Sequence, residues 1–294
     1  MAVNKTYKDR IAALKRDYEE FRQGKASLLA LITEAEIPES VYNSNAIENS
    51  TLTLAETEKI LLELEVSRDV SVREVFEAKN LARVMQYLPS KVGTQSVDLP
   101  FILLLHKMLI GGINDEIAGR LRAPQEYVRV GTYIAPAPEL LEKLMQDAVH
   151  EYASDHEAYF LEKIAKFHLA FEHTHPFCDG NGRIGRLLIN YQLLQAGFPP
   201  IIIRDSEKRT YYQAFPKFDQ AKDQRPMEKI LALALIESLH KRVTYLKGEQ
   251  IIRLSEYIKA HSLFAPAFTN AARAQRIPAF REKGVWKIGA GYKV

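Results

Sequence analysis

The feature that most constrains the fold is apolar residues recurring at helical spacing in nine long blocks: 11–32, 54–64, 75–88, 101–110, 140–152, 159–171, 184–194, 227–246 and 251–260. A chain patterned this way predicts an all-α architecture. Breakers part the blocks: Pro38, the 89–100 loop with Gly93, Gly111 and Gly112, Pro136 and Pro138, Gly197 with Pro199 and Pro200, and Pro226. One segment, RAPQEYVRVGTYIA at 122–135, instead alternates β-branched and aromatic residues about Gly131, which predicts a short hairpin set among helices. Beyond Ser262 the chain turns to short, Pro-punctuated pieces ending FREKGVWKIGAGYKV, which predict a small C-terminal appendage.

At 294 residues the chain can bury one large domain, or a domain and a small appendage. Its 40 Lys and Arg against 37 Asp and Glu leave a formal charge of +3, too near balance to argue for a nucleic-acid partner, so none is expected. The single cysteine, Cys178, excludes an internal disulfide, and the start MAVNKTYKDR carries no apolar signal region, so the expectation is a cytoplasmic protein. The longest apolar stretch, 99–110, is interrupted by His106 and Lys107 and falls short of the ~20 residues that span a bilayer.

Chemistry concentrates in twelve residues, His175 Pro176 Phe177 Cys178 Asp179 Gly180 Asn181 Gly182 Arg183 Ile184 Gly185 Arg186. Pro176 biases His175 away from the helical region, so the 159–171 helix should end by His175. Gly180 and Gly182 flank Asn181 and permit positive φ on either side, letting backbone amides converge on an anion. A helix starting near Arg183 would present its unsatisfied N–H groups to phosphate oxygens, and Arg183 and Arg186, three apart, would share a face beside the same anion. Asp179 suits a Mg²⁺ ion, which takes one or two carboxylates and leaves its other positions to substrate and water. His175 has the pKa of a proton acceptor for an attacking hydroxyl. No GK[ST] follows the glycines, so this is not a Walker A loop. An alternative makes His168, His173, His175 and Asp179 a zinc or iron site, but a spacing of five between the first two is awkward on one helix, and the arginines and glycines go unexplained. His173 then reads as a structural or supporting histidine and Cys178 as a small packing residue.

Residues 175–186 resemble the HPFxDGNGRxxR signature of Fic domains, a family that transfers AMP from ATP to protein hydroxyls, with every fixed position present. The resemblance covers roughly 44–246. Ser44 Asn45 Ala46 Ile47 Glu48 Asn49 resembles the family's inhibitory motif [S/T]xxxE[G/N], placed upstream as in members with an N-terminal inhibitory helix; the 122–135 hairpin resembles the flap that pairs with a target's extended segment; Tyr211 and Tyr212 resemble tyrosines near the nucleotide. The resemblance implies a Fic-type helical fold with a hairpin flap, divided as an N-terminal helical region 1–95, a core 96–247 and an appendage 248–294. It implies an autoinhibited protein adenylyltransferase using ATP with Mg²⁺, or Mn²⁺ in its place. His175 would be the base and Asp179 the metal ligand. Gly180, Asn181, Gly182, Arg183 and Arg186 would bind phosphate, and Ser44 and Glu48 would inhibit. Tyr211, Tyr212 and Asn190 would border the nucleotide. The target protein is not written in the sequence and includes the chain itself among the candidates; a homodimer stays open. Doc-type kinase activity is disfavoured, because those relatives carry lysine in place of an anion-site glycine, and Gly180 and Gly182 are intact.

Two other functions use the same residues. Glu48 could orient water to hydrolyse an AMP–protein bond, making the enzyme a deAMPylase. Alternatively, the chain could be a restrained regulator whose C-terminal piece is a binding module: 269–288, with FREKGVWKI, resembles the end of a winged helix, though the sequence shows no evident helix-turn-helix before it.

Overall fold

The computed structural model describes residues 4–66 and 70–293. Its N-terminal helices are α1 (Lys5–Phe21), α2 (Ala26–Ile47), α3 (Leu54–Glu58), which widens into a π turn at Lys59–Glu63, α4 (Val72–Tyr87) and α5 (Leu99–Ile110). A two-stranded hairpin, β1 (Arg129–Val130) and β2 (Tyr133–Ile134), precedes α6 (Leu141–Ser154), α7 (Phe160–Thr174), α8 (Asn181–Gln195), α9 (Lys208–Tyr212), α10 (Ala214–Ala221) and α11 (Arg225–Leu246). The chain closes with β3 (Ile251–Arg253), α12 (Leu254–Ala260), α13 (Ala265–Arg273), β4 (Phe280–Glu282) and β5 (Val285–Gly289).

Local chemistry accounts for the boundaries. Asp98 accepts from the Phe101 N–H at the start of α5, Pro100 occupies its first turn, and Thr53 with Glu56 forms a reciprocal capping box on α3. The apolar block 11–32 is two helices, parted at Gly24, which adopts φ +69°. Pro38 does not break its helix as expected but lies buried within α2: proline forfeits one backbone bond, and the C-terminal half of α2 is pinned instead by side-chain bonds from Glu39, Asn43 and Ser44. The block 251–260 opens as a strand, because Ile251 to Arg253 pair with β5 before α12 starts.

Two apolar clusters fill the main body. One joins α1, the end of α2 and α11 through Ile11, Ile47 and Leu235; the other joins α4, α5 and α6 through Leu81, Leu105 and Met145. Helices α7 and α8 feed both, with Leu161 and Ile189 on one side and Phe171 and Leu188 on the other. The turn between α7 and α8, which carries the His175 loop, is thereby fixed by packing on both flanks.

The C-terminal unit has its own cluster, including Leu254, Tyr257, Ala272 and Ile288, and an antiparallel sheet in the order β3–β5–β4, with Ile252 opposite Ile288 and Arg281 opposite Trp286. A strand, a helix-turn-helix and a hairpin in this order form a winged-helix topology. No helix-turn-helix is evident in the sequence, yet α12 and α13 provide one. Alanine-rich α13 is only nine residues long, too short a run for its apolar face to stand out in the sequence, and Pro266, which reads as a breaker, sits in its first turn. Among the described residues no helix is long and apolar enough to cross a membrane.

Candidate active site

Helix α7 ends where Pro176 requires it to. The His175 N–H closes the last turn on Phe171 O (2.9 Å), and His175 itself takes a left-handed conformation, φ +47° and ψ 61°, unusual for a residue with a side chain. Arg122 holds this geometry from the base of the hairpin: its Nε donates to His175 O (2.9 Å), Nη1 to Glu126 O (2.9 Å) and Nη2 to Pro136 O (2.8 Å), while its N–H donates to Pro176 O (3.0 Å). Further round the loop, Asn181 is buried, accepts from Phe177 N–H (2.9 Å) and donates to Phe177 O (2.8 Å). His106 stacks on Phe177 with ring centroids 3.7 Å apart, accepts from Gly119 N–H at Nδ1 (3.0 Å) and so has its Nε2 proton for Asp179 O (3.0 Å). Burial pushes His106 down to about 4, which keeps this neutral tautomer at physiological pH.

The His175 imidazole is likewise pushed down to about 4, chiefly by burial, against an opposing hydrogen bond to the Glu172 backbone carbonyl. It is therefore a neutral base near pH 7. Beside it, Gly180 turns the chain with φ +83°, and the first intrahelical bond of α8, Ile184 N–H to Gly180 O (2.9 Å), leaves the amides of residues 181–183 at an open helix end, suited to an anion. The expectation of positive φ at Gly182 is not met: Gly182 is helical. Its lack of a side chain answers to space, since a Cβ there would lie 2.1 Å from Glu48 Oε1.

The two arginines part company rather than sharing one partner. Buried Arg183 donates to Asp179 Oδ1 (3.0 Å) and pairs with Glu77 (3.2 Å), and Asp179 also pairs with Arg73 of α4, whose side chain is 59% exposed. Buried Arg186 donates from Nε to Ser44 Oγ (2.9 Å) and from Nη2 to Ser44 O (2.8 Å) and Glu48 Oε1 (2.8 Å), while its Nη1 has no partner. Ser44 and Glu48 lie four apart, at the last turn and C-cap of α2, so they face the same way. That helix end is capped by α9: Lys208 Nζ donates to Ala46 O (3.1 Å) and Asn49 Oδ1 (2.8 Å), and Tyr212 OH to Ile47 O (3.1 Å).

A second carboxyl, which sequence reasoning passed over, lies in the same place. Glu172 is half-buried on α7, with its Oε1 shut off from solvent and without a hydrogen-bond partner, and burial, reinforced by Glu48, pushes it up to about 8, so it is protonated and neutral near pH 7. A Cβ on Gly185 would meet its Oε1 at 2.4 Å. Glycines 182 and 185 thus make room for one carboxyl each, on either side of Arg186. The only advance signal for Glu172 was its place three residues before His175.

His175, Gly182, Arg186, Glu48 and Glu172 all line one cavity of ≈ 340 Å³, closed by the hairpin residues Val130 to Tyr133 and by Tyr211, Tyr212, Phe215 and Phe218. It is the size of a small-molecule site, with an aromatic wall opposite a cluster of donors. Asn190, expected at the nucleotide, does not reach it. Its amide clamps Ile201 in both directions (2.8 and 3.0 Å) and borders a separate groove behind α2.

The metal-site alternative finds no support in the geometry: His168 turns to Tyr211 OH (2.8 Å), His173 to Asp219 (2.6 Å) and Tyr133 OH (3.1 Å), and among the described residues no three His, Cys, Asp or Glu side chains are grouped to hold an ion. Cys178 is pushed up to about 11, first by burial, and is an unreactive thiol beside Glu126.

Fold and cavity together define a helical protein with an open helix end suited to an anion, a neutral histidine beside it and a carboxylate seated on the site's buried arginine. Residues 96–193 match the sequence model of the Fic/DOC family. The chain is 34% identical over 197 residues to the protein adenylyltransferase Fic of Nematostella vectensis, an alignment covering 65% of this chain and 45% of that one; the chain therefore spans less than half the length of that curated relative. Among solved structures it is similar to a Fic domain-containing signaling protein from Bacteroides thetaiotaomicron (25% identity, TM-score 0.73, covering 82% of this chain and 98% of that one). It also shares its fold with a Fic family protein from Desulfovibrio desulfuricans (23% identity, TM-score 0.63, covering 97% of each chain).

Proposed function

We propose that this chain is a protein adenylyltransferase, restrained by Glu48, that transfers AMP from ATP to a hydroxyl of a protein. The observation that carries the reading is the single cavity into which His175, the α8 helix end, Arg186 and Glu48 all open. His175, neutral and held by its neighbours, takes the proton of the incoming Ser, Thr or Tyr hydroxyl as that oxygen attacks the α-phosphorus; pyrophosphate leaves. The amides of 181–183 and the guanidinium of Arg183 stabilise the charge that builds on the phosphates. Tyr211 and Tyr212 supply the apolar wall for the nucleoside. Asp179 fits Mg²⁺ or Mn²⁺: it is a hard oxygen donor, and one of its present partners, Arg73, is an exposed side chain free to withdraw. Such an ion would neutralise the leaving pyrophosphate.

Arg186 cannot give the same donors to a carboxylate and to a terminal phosphate, so Glu48 competes with productive ATP placement. A bias of ~3 kcal/mol toward the carboxylate would lower turnover roughly a hundredfold. With ATP labelled at the α-phosphate, His175→Ala should abolish labelling of protein and Glu48→Gly should raise it; persistence of labelling in the first would remove the mechanism, and no gain in the second would remove the restraint. The deAMPylase reading is kept by the geometry of Glu48, whose Oε1 alone is engaged by Arg186. It predicts AMP release from an AMP-modified protein in Mg²⁺ without ATP.

A further inference from the structure

Helix α2 is held well away from its tip as well as at it. Glu39 precedes Glu48 by nine residues, about 14 Å along the helix axis. It forms a buried ion pair with Arg204 and accepts from the Gly284 N–H (3.1 Å), at the turn between β4 and β5 of the C-terminal unit. Arg204 in turn donates to Glu237 Oε1 (3.0 Å). Arg281 of β4 wraps the same carboxylate, with Nη2 on Oε2 (2.6 Å) and both Nε and its own N–H on Oε1 (3.0 Å each), and sends Nη1 to Glu207 (2.9 Å). Burial would raise the Glu237 carboxyl, but Arg204 and Arg281 outweigh it and hold it below its ordinary range. One turn up α2, Glu36 meets Arg242 (2.6 Å) and Lys241 (3.1 Å), and Lys241 bridges back to Glu282 of β4 (3.1 Å).

Buried ion networks add little net stability over apolar packing, but loss of one member leaves uncompensated charge, so they fix geometry sharply. Here the fixed element is the helix that presents Ser44 and Glu48. A displacement of about 1 Å would stretch the Arg186–Glu48 bond of 2.8 Å beyond hydrogen-bonding range. The hairpin that carries Arg281 and Gly284 belongs to a unit that contributes nothing to the cavity itself.

We propose that Glu39, Arg204 and Arg281 are positioning residues of the restraint: the β4–β5 hairpin of the C-terminal unit is a strut that sets α2 where Ser44 and Glu48 reach Arg186. This rests on the reading that Glu48 restrains transfer. The test measures AMP incorporation by the 294-residue chain and amide exchange in wild type, Arg281→Ala, Glu39→Gln, Glu48→Gly and the Arg281→Ala/Glu48→Gly double variant. The strut predicts a gain of about tenfold for Arg281→Ala and a smaller gain for Glu39→Gln. It also predicts faster exchange at residues 43–48 with α7 and α8 unchanged, and no further gain when Arg281→Ala is added to Glu48→Gly. If Glu48→Gly raises transfer but Arg281→Ala and Glu39→Gln do not, or if Arg281→Ala multiplies the gain of Glu48→Gly, the strut is overturned. Should Arg281→Ala fail to fold, Glu39→Gln decides alone. If Glu48→Gly itself gives no gain, the restraint by Glu48 fails first, and the strut with it.

Discussion

At Gly182 and Gly185 the missing side chains matter more than any present one. An alanine at 182 would drive its Cβ to 2.1 Å from the Glu48 carboxylate, so Gly182→Ala should lower the melting temperature, and much of that loss should disappear in a Glu48→Gly background; equal losses in both backgrounds would mean that the two residues do not compete for space. Glu172 carries a pH signature. Its folded value is raised from 4.5 to about 8, so its contribution to stability is fully present below 4.5 and is lost as pH rises toward 8. Thermal melts should therefore show Glu172→Gln gaining on wild type between pH 5 and pH 8, and a constant difference would contradict the raised value. For His175 the sign is opposite: a ring pushed down to about 4 is already a free base at pH 6, so the acid limb of kcat/KM for the uninhibited Glu48→Gly enzyme should fall well below 6.5. In the sequence Glu172 is one more acidic residue on an amphipathic helix; what sets it apart is burial against Glu48, a contact across 124 positions that no local pattern encodes.

Elements were legible in proportion to how local their causes are. The 175–186 loop and the 122–135 hairpin follow from proline, glycine and alternation within a few residues, and both formed where expected. Helix α2 was misread at Pro38, because its continuation depends on Glu39, Asn43 and Ser44 finding distant partners in Gly284, Asp205 and Arg186. The short helices α9 and α10 were missed because five and eight residues are too short a run for a helical period to be read; both pack on His168 of α7, through Tyr211 and Phe215. Yet α9 caps the end of α2. Removing Lys208, which donates to Ala46 O and Asn49 Oδ1, should cost that end about 1 kcal/mol, enough to raise transfer up to roughly fivefold in Lys208→Ala. A rate equal to wild type in the AMP-incorporation assay would show that the α2 terminus does not need this cap.

Across the whole molecule, the His175 turn hangs between two apolar clusters that share α7 and α8, while the carboxylate that occupies its arginine arrives on a helix from the N-terminal region. A ligand that binds only the folded state stabilises it by an amount set by its concentration over its Kd. Saturating ATP with Mg²⁺ should accordingly raise the melting temperature of Glu48→Gly more than that of wild type, because Arg186 is then free for phosphate; equal shifts would mean that Glu48 does not obstruct ATP. The most direct measurement is intact mass spectrometry of wild type, Glu48→Gly and Glu48→Gly/His175→Ala after incubation with ATP and Mg²⁺. An added AMP on Glu48→Gly, little on wild type and none on the double variant is the expected result. Equal modification of wild type and Glu48→Gly, or modification that survives loss of His175, would contradict it.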